Sequence, residues 1–210
     1  MTMKTKRIGP LTLPALDADG IAKAQQLVGA GNLVLDGDLV SGGVWTSTFA
    51  HQIGVASAGN IATVVFTIYG TDQDGDAVTE TVTGVSGNTV ETTGYFKTVT
   101  RIAAGAAVGA DVFVGTVDEI STQTIPVNIY TTAHTVAVDV TGTLNYDLEE
   151  TFARPTAGET PAWQNDADIV NETASQNAYI QKQIGAFRVV VNSYTAGATL
   201  AISINPDWQI

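Results

Sequence analysis

The chain has 210 residues, of which 14% are charged, and 21 acidic against 9 basic residues give a formal net charge of −12. That balance argues against binding nucleic acid by phosphate neutralisation. The absence of cysteine excludes disulfides, thiolate catalysis and Cys-ligated metals together.

No apolar run approaches the roughly 20 residues that cross a bilayer. The opening stretch MTMKTKRIGPLTLPAL has its apolar part broken by Pro10 and Pro14, so neither a membrane contact nor a signal peptide is expected. Thr, Val, Ala and Gly dominate, and the 6 prolines avoid the most strongly alternating runs. These features predict an all-β protein. The expected architecture is an extended N-terminal arm, residues 1–31, followed by two tandem β-sandwich domains of jelly-roll or Ig-like type, 32–118 and 119–210.

The arm gathers Lys4, Lys6, Arg7 and Lys23 into the first 23 positions of an otherwise acidic chain. Removing Asp17 and Asp19 with that segment leaves 19 acidic and 5 basic residues over 24–210, a formal charge of −14. Opposite charge steers such a segment onto an acidic neighbour, and burial of Ile8, Leu11, Leu13 and Leu16 then supplies most of the affinity. Asp19–Leu27 has the pattern of a short capped helix, although two turns alone are marginal in water.

From Asn32 onward, short apolar runs alternate with turn signals every eight to twelve residues, as in a sandwich or barrel. The clearest is ATVVFTIYGTDQDGDAVTETVTG, residues 62–84. Val64, Phe66 and Ile68 alternate with Thr63, Thr67 and Tyr69, the period of a half-buried strand. Thr71–Asp76 supplies a hairpin turn, and Val78 and Val82 return. Over Tyr95–Ile102 the two parities are equally mixed, so the faces are ambiguous. DEISTQT, residues 118–124, is polar and aperiodic, and marks the seam between domains.

In the second domain, Val136, Val138, Val140, Leu144, Tyr146 and Leu148 share one parity, interrupted at Gly142. A bend there would let one long strand serve two sheets. Residues 153–183 lose alternation, and the spacing of Trp163, Ala167, Val170, Ala174 and Ala178 is loosely helical. Phe187, Val189 and Val191 are expected to pair with Leu200, Ile202 and Ile204 as a last hairpin. The expected core includes Val64, Phe66, Ile68, Val138, Val140, Val189 and Ile202.

Reactive constellations are scarce. Asp72, Asp74 and Asp76 offer alternate carboxylates for calcium, but Gly75 stands fourth in the loop where an EF-hand needs it sixth, and a plain turn explains all four residues. His51 and His134 have no ligand neighbours at zinc spacing. Glu149 and Glu150 are adjacent on a strand, so they face opposite ways and make a poor acid pair. Neither an enzyme nor a cofactor is expected. Trp163 is the aromatic most suited to a contact surface, and Trp45 and Trp208 are expected to pack in core or interface.

Three stretches in order, AGNLVLDG at 30–37, FTIYGTDQDGDAVTETVTG at 66–84 and YFKTVTRI at 95–102, resemble β-rich virion structural proteins of tailed, often short-tailed, bacteriophages. The resemblance spans roughly residues 15–118. It implies a non-enzymatic, homo-oligomeric particle component, first of all a capsid cement or decoration protein on the exterior of the head. Its partners would be the major capsid protein and copies of itself. A tail- or collar-associated structural or receptor/glycan-binding module is the alternative. The interface expectation rests on Lys4, Lys6, Arg7, Ile8, Leu11, Leu13, Leu16 and Trp163.

Overall fold

The computed structural model describes residues 5–131 and 133–206, so Lys4 and Trp208 of the preceding expectations lie outside them. The chain is all-β. Its first strands are β1 (Lys6–Thr12), β2 (Ala22–Leu27), β3 (Gly31–Asn32), β4 (Val40–Ser41), β5 (Val44–Ser57) and β6 (Val65–Thr71). There follow β7 (Ala77–Thr83), β8 (Thr89–Glu91), β9 (Phe96–Ala104), β10 (Val108–Ser121), β11 (Ile125–Pro126) and β12 (His134–Thr141). The last are β13 (Leu144–Thr151), β14 (Gln164–Asn165), β15 (Gln176–Ile180), β16 (Ala186–Tyr194) and β17 (Thr199–Pro206). They form a four-stranded and a thirteen-stranded sheet. By contacts the chain divides into a contiguous unit, Leu16–Ser121, and a composite one, Met1–Ala15 with Thr122–Ile210. This replaces the arm of 1–31 and the domains 32–118 and 119–210, although the polar seam does fall at Ser121–Thr122.

In the contiguous unit the strand order is β10-β5-β9-β6-β7, with β2 on β10, β3 on β9, and β4 and β8 on β5. The β6–β7 hairpin runs in one register from Val65↔Thr83 to Thr71↔Ala77, as the alternation and the Asp-Gly turn predict. Val64, Phe66 and Ile68 are buried with Trp45, Ile53, Phe96 and Ile102 in one apolar cluster. The mixed parity of β9 has a physical cause. Tyr69 stands opposite Arg101 but Gly70 opposite Val99, so Thr100 is an extra residue that flips the strand between Val99 and Ile102. Gly70 is required at this bulge, because a Cβ there would lie 1.8 Å from the Thr98 carbonyl oxygen.

The helix expected over Asp19–Leu27 is instead strand β2, antiparallel to β10. Ile21 N–H donates to the Val114 carbonyl at 2.9 Å. The Gln25 side chain accepts from Val34 N–H at 2.8 Å and donates to the Val34 carbonyl at 2.9 Å. A ladder partner and a side-chain clasp outweigh a two-turn helix that is marginal by itself.

In the composite unit the four-stranded sheet has the order β1-β17-β12-β15, while β13 pairs with β14 and β16, and β11 with β16. The expected bend at Gly142 is present, with φ of +89°, and β12 and β13 on either side belong to different sheets. The last hairpin is corrected. β16 pairs with β13 and β17 with β12 and β1, so residues 195–198 form a second corner beside the first. Thr195 N–H donates to the Thr143 carbonyl at 2.9 Å, tying the corners together.

Val136, Val138, Leu200, Ile202 and Ile204 of one sheet, and Leu144, Tyr146, Leu148, Phe187, Val189 and Val191 of the other, are buried. The His134 and Phe187 rings meet edge-on across the sheets, with centroids 5.8 Å apart, which makes the unit sandwich-like. Val140 is only half-buried, since it ends β12 near the corner. Over 153–183 the loose helical spacing yields a 3-10 turn, Pro155–Ala157, and the short strands β14 and β15.

The arm is not free. β1 is the edge of the four-stranded sheet, antiparallel to β17 from Lys6↔Ile204 to Thr12↔Thr199, with a register shift between Ile8 and Leu11. The shift coincides with the cis Gly9–Pro10 bond, where proline has no N–H for the ladder. Beyond it, Leu13 N–H donates to the Ala198 carbonyl at 2.8 Å and Leu13 O accepts from Gly197 N–H at 3.0 Å.

Candidate interaction surface and ionic cluster

The structure gathers most of the expected interface residues on one strand and its continuation. On β1, Lys6 and Arg7 are exposed and Ile8 and Leu11 half-buried. The Lys6 ammonium donates to the Pro126 carbonyl, and Thr5 Oγ1 to Asn205 Oδ1. Leu13 is 1% exposed and is thus part of the core of its own unit, whereas Leu16 is 43% exposed. The four leucine and isoleucine side chains therefore do not form one free apolar face. What remains accessible on β1 is a basic edge whose outer backbone groups, among the described residues, face no further strand of the four-stranded sheet.

Trp163 stands apart from this edge, just before β14, and is half-buried. The Arg188 guanidinium lies 4.5 Å from its ring centroid, a cation–π contact. Arg188 is also the cross-strand partner of Glu149, with Nε and Oε2 2.5 Å apart. Arginine is thus held between an aromatic face and a carboxylate, and Trp163 has one ring face already engaged.

Glu150, the next residue, faces the opposite way. It shares the inward parity of Tyr146 and Leu148 and is 1% exposed. The cross-strand partner Gln164 donates Nε2 to Glu150 Oε1 at 3.1 Å. Lys182 donates Nζ to the same oxygen and lies 3.5 Å from Asp166 Oδ2. Asp166 is 3% exposed, fixed by its N–H to Leu148 O at 2.8 Å, and its Oδ1 accepts from Asp168 N–H at 3.1 Å. Burial pulls the Lys182 ammonium down, but Glu150 and then Asp166 together hold its pKa above the ordinary lysine range. Lys182 is placed by the turn into β16. Gly185 N–H donates to Thr151 O at 2.8 Å, and a Cβ on Gly185 would lie 1.8 Å from the Ala153 carbonyl oxygen. This cluster is absent from the sequence expectations. Its signal was the parity of β13, which carries Leu144, Tyr146, Leu148 and Glu150 to one face, so that a carboxylate must be buried with a partner.

Asp72, Asp74 and Asp76 form the β6–β7 turn. Asp72 Oδ1 accepts the backbone N–H groups of Asp74 and Asp76, both at 2.9 Å, and Asp72 N–H donates to Asp76 O at 2.9 Å. One of the three carboxylates is therefore already committed to the backbone. Among the described residues no group of three or more His, Asp or Glu side chains is arranged to hold a metal. His51 is buried beside Trp45, with ring centroids 5.7 Å apart. Its Nδ1–H faces the Val117 carbonyl at 3.4 Å, so Nε2, 3.2 Å from Ser47 Oγ, is the acceptor of the neutral ring.

No family model, no curated protein and no solved structure matches this chain.

Proposed function

We propose that this chain is a non-enzymatic virion structural protein, a cement or decoration protein that binds and stabilises the head shell of a tailed phage. The observation that carries the reading is the exposed basic edge strand β1, with Lys6 and Arg7 on a chain whose formal net charge is −12. An open edge adds a partner's strand through main-chain hydrogen bonds, while opposite charge selects and orients that partner. The phage-protein resemblance of residues 15–118 supports the same reading. Cementing requires only a surface that bridges neighbouring subunits, and repetition over many sites lets modest contacts act together. The partners in this proposal are the major capsid protein and further copies of the chain. At the finer level of architecture, we read the two units as two sandwich domains, the contiguous one inserted into the composite one.

The test is attachment to particles that lack the protein. Lys6→Glu with Arg7→Glu should leave circular dichroism unchanged and lower occupancy of isolated heads several-fold, with a steeper loss at low salt. Equal occupancy by wild type and variant would overturn the role of β1. Recovery of the protein with separated tails and not with heads would replace the cement reading by the tail- or collar-associated one. Turnover of a sugar or peptide by the purified protein would overturn both.

A further inference from the structure

We propose that Lys182 and Asp166 become joined by an isopeptide bond that the chain forms on itself, with Glu150 carrying the protons. The inference is independent of the virion reading. It rests on a juxtaposition of one amine and two carboxyl groups within the composite unit. Lys182 Nζ is hydrogen-bonded to Glu150 Oε1 and 3.5 Å from Asp166 Oδ2. Both carboxyl side chains are nearly sealed from solvent, at 1% and 4% exposure, while the Lys182 side chain is 39% exposed. The second Glu150 oxygen, Oε2, is buried without a hydrogen-bond partner. A fully ionised carboxylate in that position leaves one oxygen uncompensated, which is costly in a dry site. Accepting the Lys182 proton neutralises that carboxylate, which favours Glu150 as the base of the pair.

The roles follow from geometry. Glu150 is in hydrogen-bond reach of the amine, as a general base must be. Asp166 is the neighbouring carboxyl, its Oδ2 3.5 Å from Nζ, and holding the two groups side by side replaces a bimolecular encounter. The pair holds the amine charged, so the step begins with transfer of a proton along the existing Nζ–Oε1 hydrogen bond. The freed lone pair of Nζ attacks Cγ of Asp166, and the Asp168 N–H on Oδ1, at 3.1 Å, polarises the carboxyl and steadies the negative charge that builds there. One N–C bond forms and one C–O bond breaks. The departing oxygen leaves as water with two of the three ammonium protons, relayed by Glu150, which ends in the state in which it began. Ammonium and carboxylate thus become an amide and one water, with no oxidant, reductant or cofactor. The water leaves past the exposed flank of Lys182.

The bond would close a covalent ring over residues 166–182 that contains β15, the second edge of the four-stranded sheet. In a chain with no cysteine, such a ring does what a disulfide does elsewhere, restricting the unfolded ensemble and pinning an edge strand.

Intact-mass spectrometry of the full, folded chain tests the proposal. The wild type is expected at the sequence mass less one water, with fragment spectra that join Asp166 to Lys182. Lys182→Arg keeps the cation and its ion pairs but removes the nucleophile, so it should fold, show the full mass and melt at a lower temperature. Glu150→Gln should slow the loss of water many-fold while Asp166 and Lys182 remain. Folded wild type that stays at full mass after prolonged incubation, an ion pair only, would overturn the inference. A water deficit that persists in Lys182→Arg would overturn it equally, because the lost water would then belong elsewhere, for instance to a succinimide at Asp74–Gly75.

Discussion

Leu13 and Leu16 lie three residues apart, yet they should respond very differently to truncation. Leu13 is 1% exposed, and its backbone is held on both sides, N–H to Ala198 and carbonyl to Gly197. Full burial of a leucine is worth about 1.5–3 kcal/mol. The clamped backbone restricts collapse into the hole left by alanine, so a cavity contribution adds to that figure. Leu13→Ala should therefore cost about 3 kcal/mol, within the range of core leucine truncations. Leu16 is 43% exposed, so its truncation gives up roughly half the transfer energy, leaves no closed cavity and should cost about 1 kcal/mol or less. Urea unfolding followed by circular dichroism reads both, as midpoints compared at unchanged slope. If two transitions are resolved, Leu13→Ala should move that of the composite unit. Equal shifts for the two variants would refute the assignment of the N-terminal segment to a core, and so would an unaffected Leu13→Ala protein.

Burial pushes the His51 imidazole down to about 4, against the pull of its hydrogen bond to Val117. An unfolded chain titrates near 6.5, so His51 leaves stability unchanged above that pH. As pH falls from about 6.5 to 4 the unfolded state takes up a proton that the folded state refuses, and stability declines by about 3 kcal/mol. His51→Gln should remove this decline relative to wild type in urea titrations, and parallel wild-type and variant profiles would refute the buried neutral ring. At the β6–β7 turn, Asp72→Ala should cost about 1 kcal/mol by releasing two backbone N–H groups, whereas Asp72→Asn keeps an acceptor and should cost much less. Equal losses in a thermal melt would show that the charge, and not the acceptor, organises the turn.

Local alternation made β6, β7, β12 and β13 legible, because one face of each is buried and the other is not. The bend at Gly142 was legible for the same reason, as a break in an otherwise unbroken parity. The fate of residues 6–12 was not legible. Their partner, β17, lies at the far end of the chain, and nothing in KRIGPLT distinguishes a strand awaiting Thr199–Pro206 from a free arm. β2 failed likewise, since its ladder on β10 and the Gln25 clasp on Val34 are both tertiary. The turn between Val191 and Leu200 reads as a hairpin locally, and only the pairing of β16 with β13 and β17 with β12 reveals a corner. Of the expected contact residues, Leu13 proved to be core and Trp163 to be already engaged by Arg188. The Lys182 cluster joins three segments that no spacing rule connects. Even so, Glu150 at an inward position of β13 was a readable sign that a partner had to exist.

The antiparallel zipper between β1 and β17 also dictates a schedule for the nascent chain. The contiguous unit, Leu16–Ser121, holds all its strands in one uninterrupted stretch, so it is able to fold while the ribosome is still translating the remainder. The composite unit is not able to do so. Strand β1 is made before the contiguous unit and meets its partner only after Thr199–Pro206 has been made, a wait on the order of 10–40 s at ordinary elongation rates of roughly 5–20 residues per second. Throughout that wait β1 is a short, proline-interrupted, lysine- and arginine-bearing segment without its ladder partner. These features keep a lone strand from pairing with the wrong neighbour. The same residues that leave β1 a basic edge in the finished fold protect it while it is unpaired on the polysome.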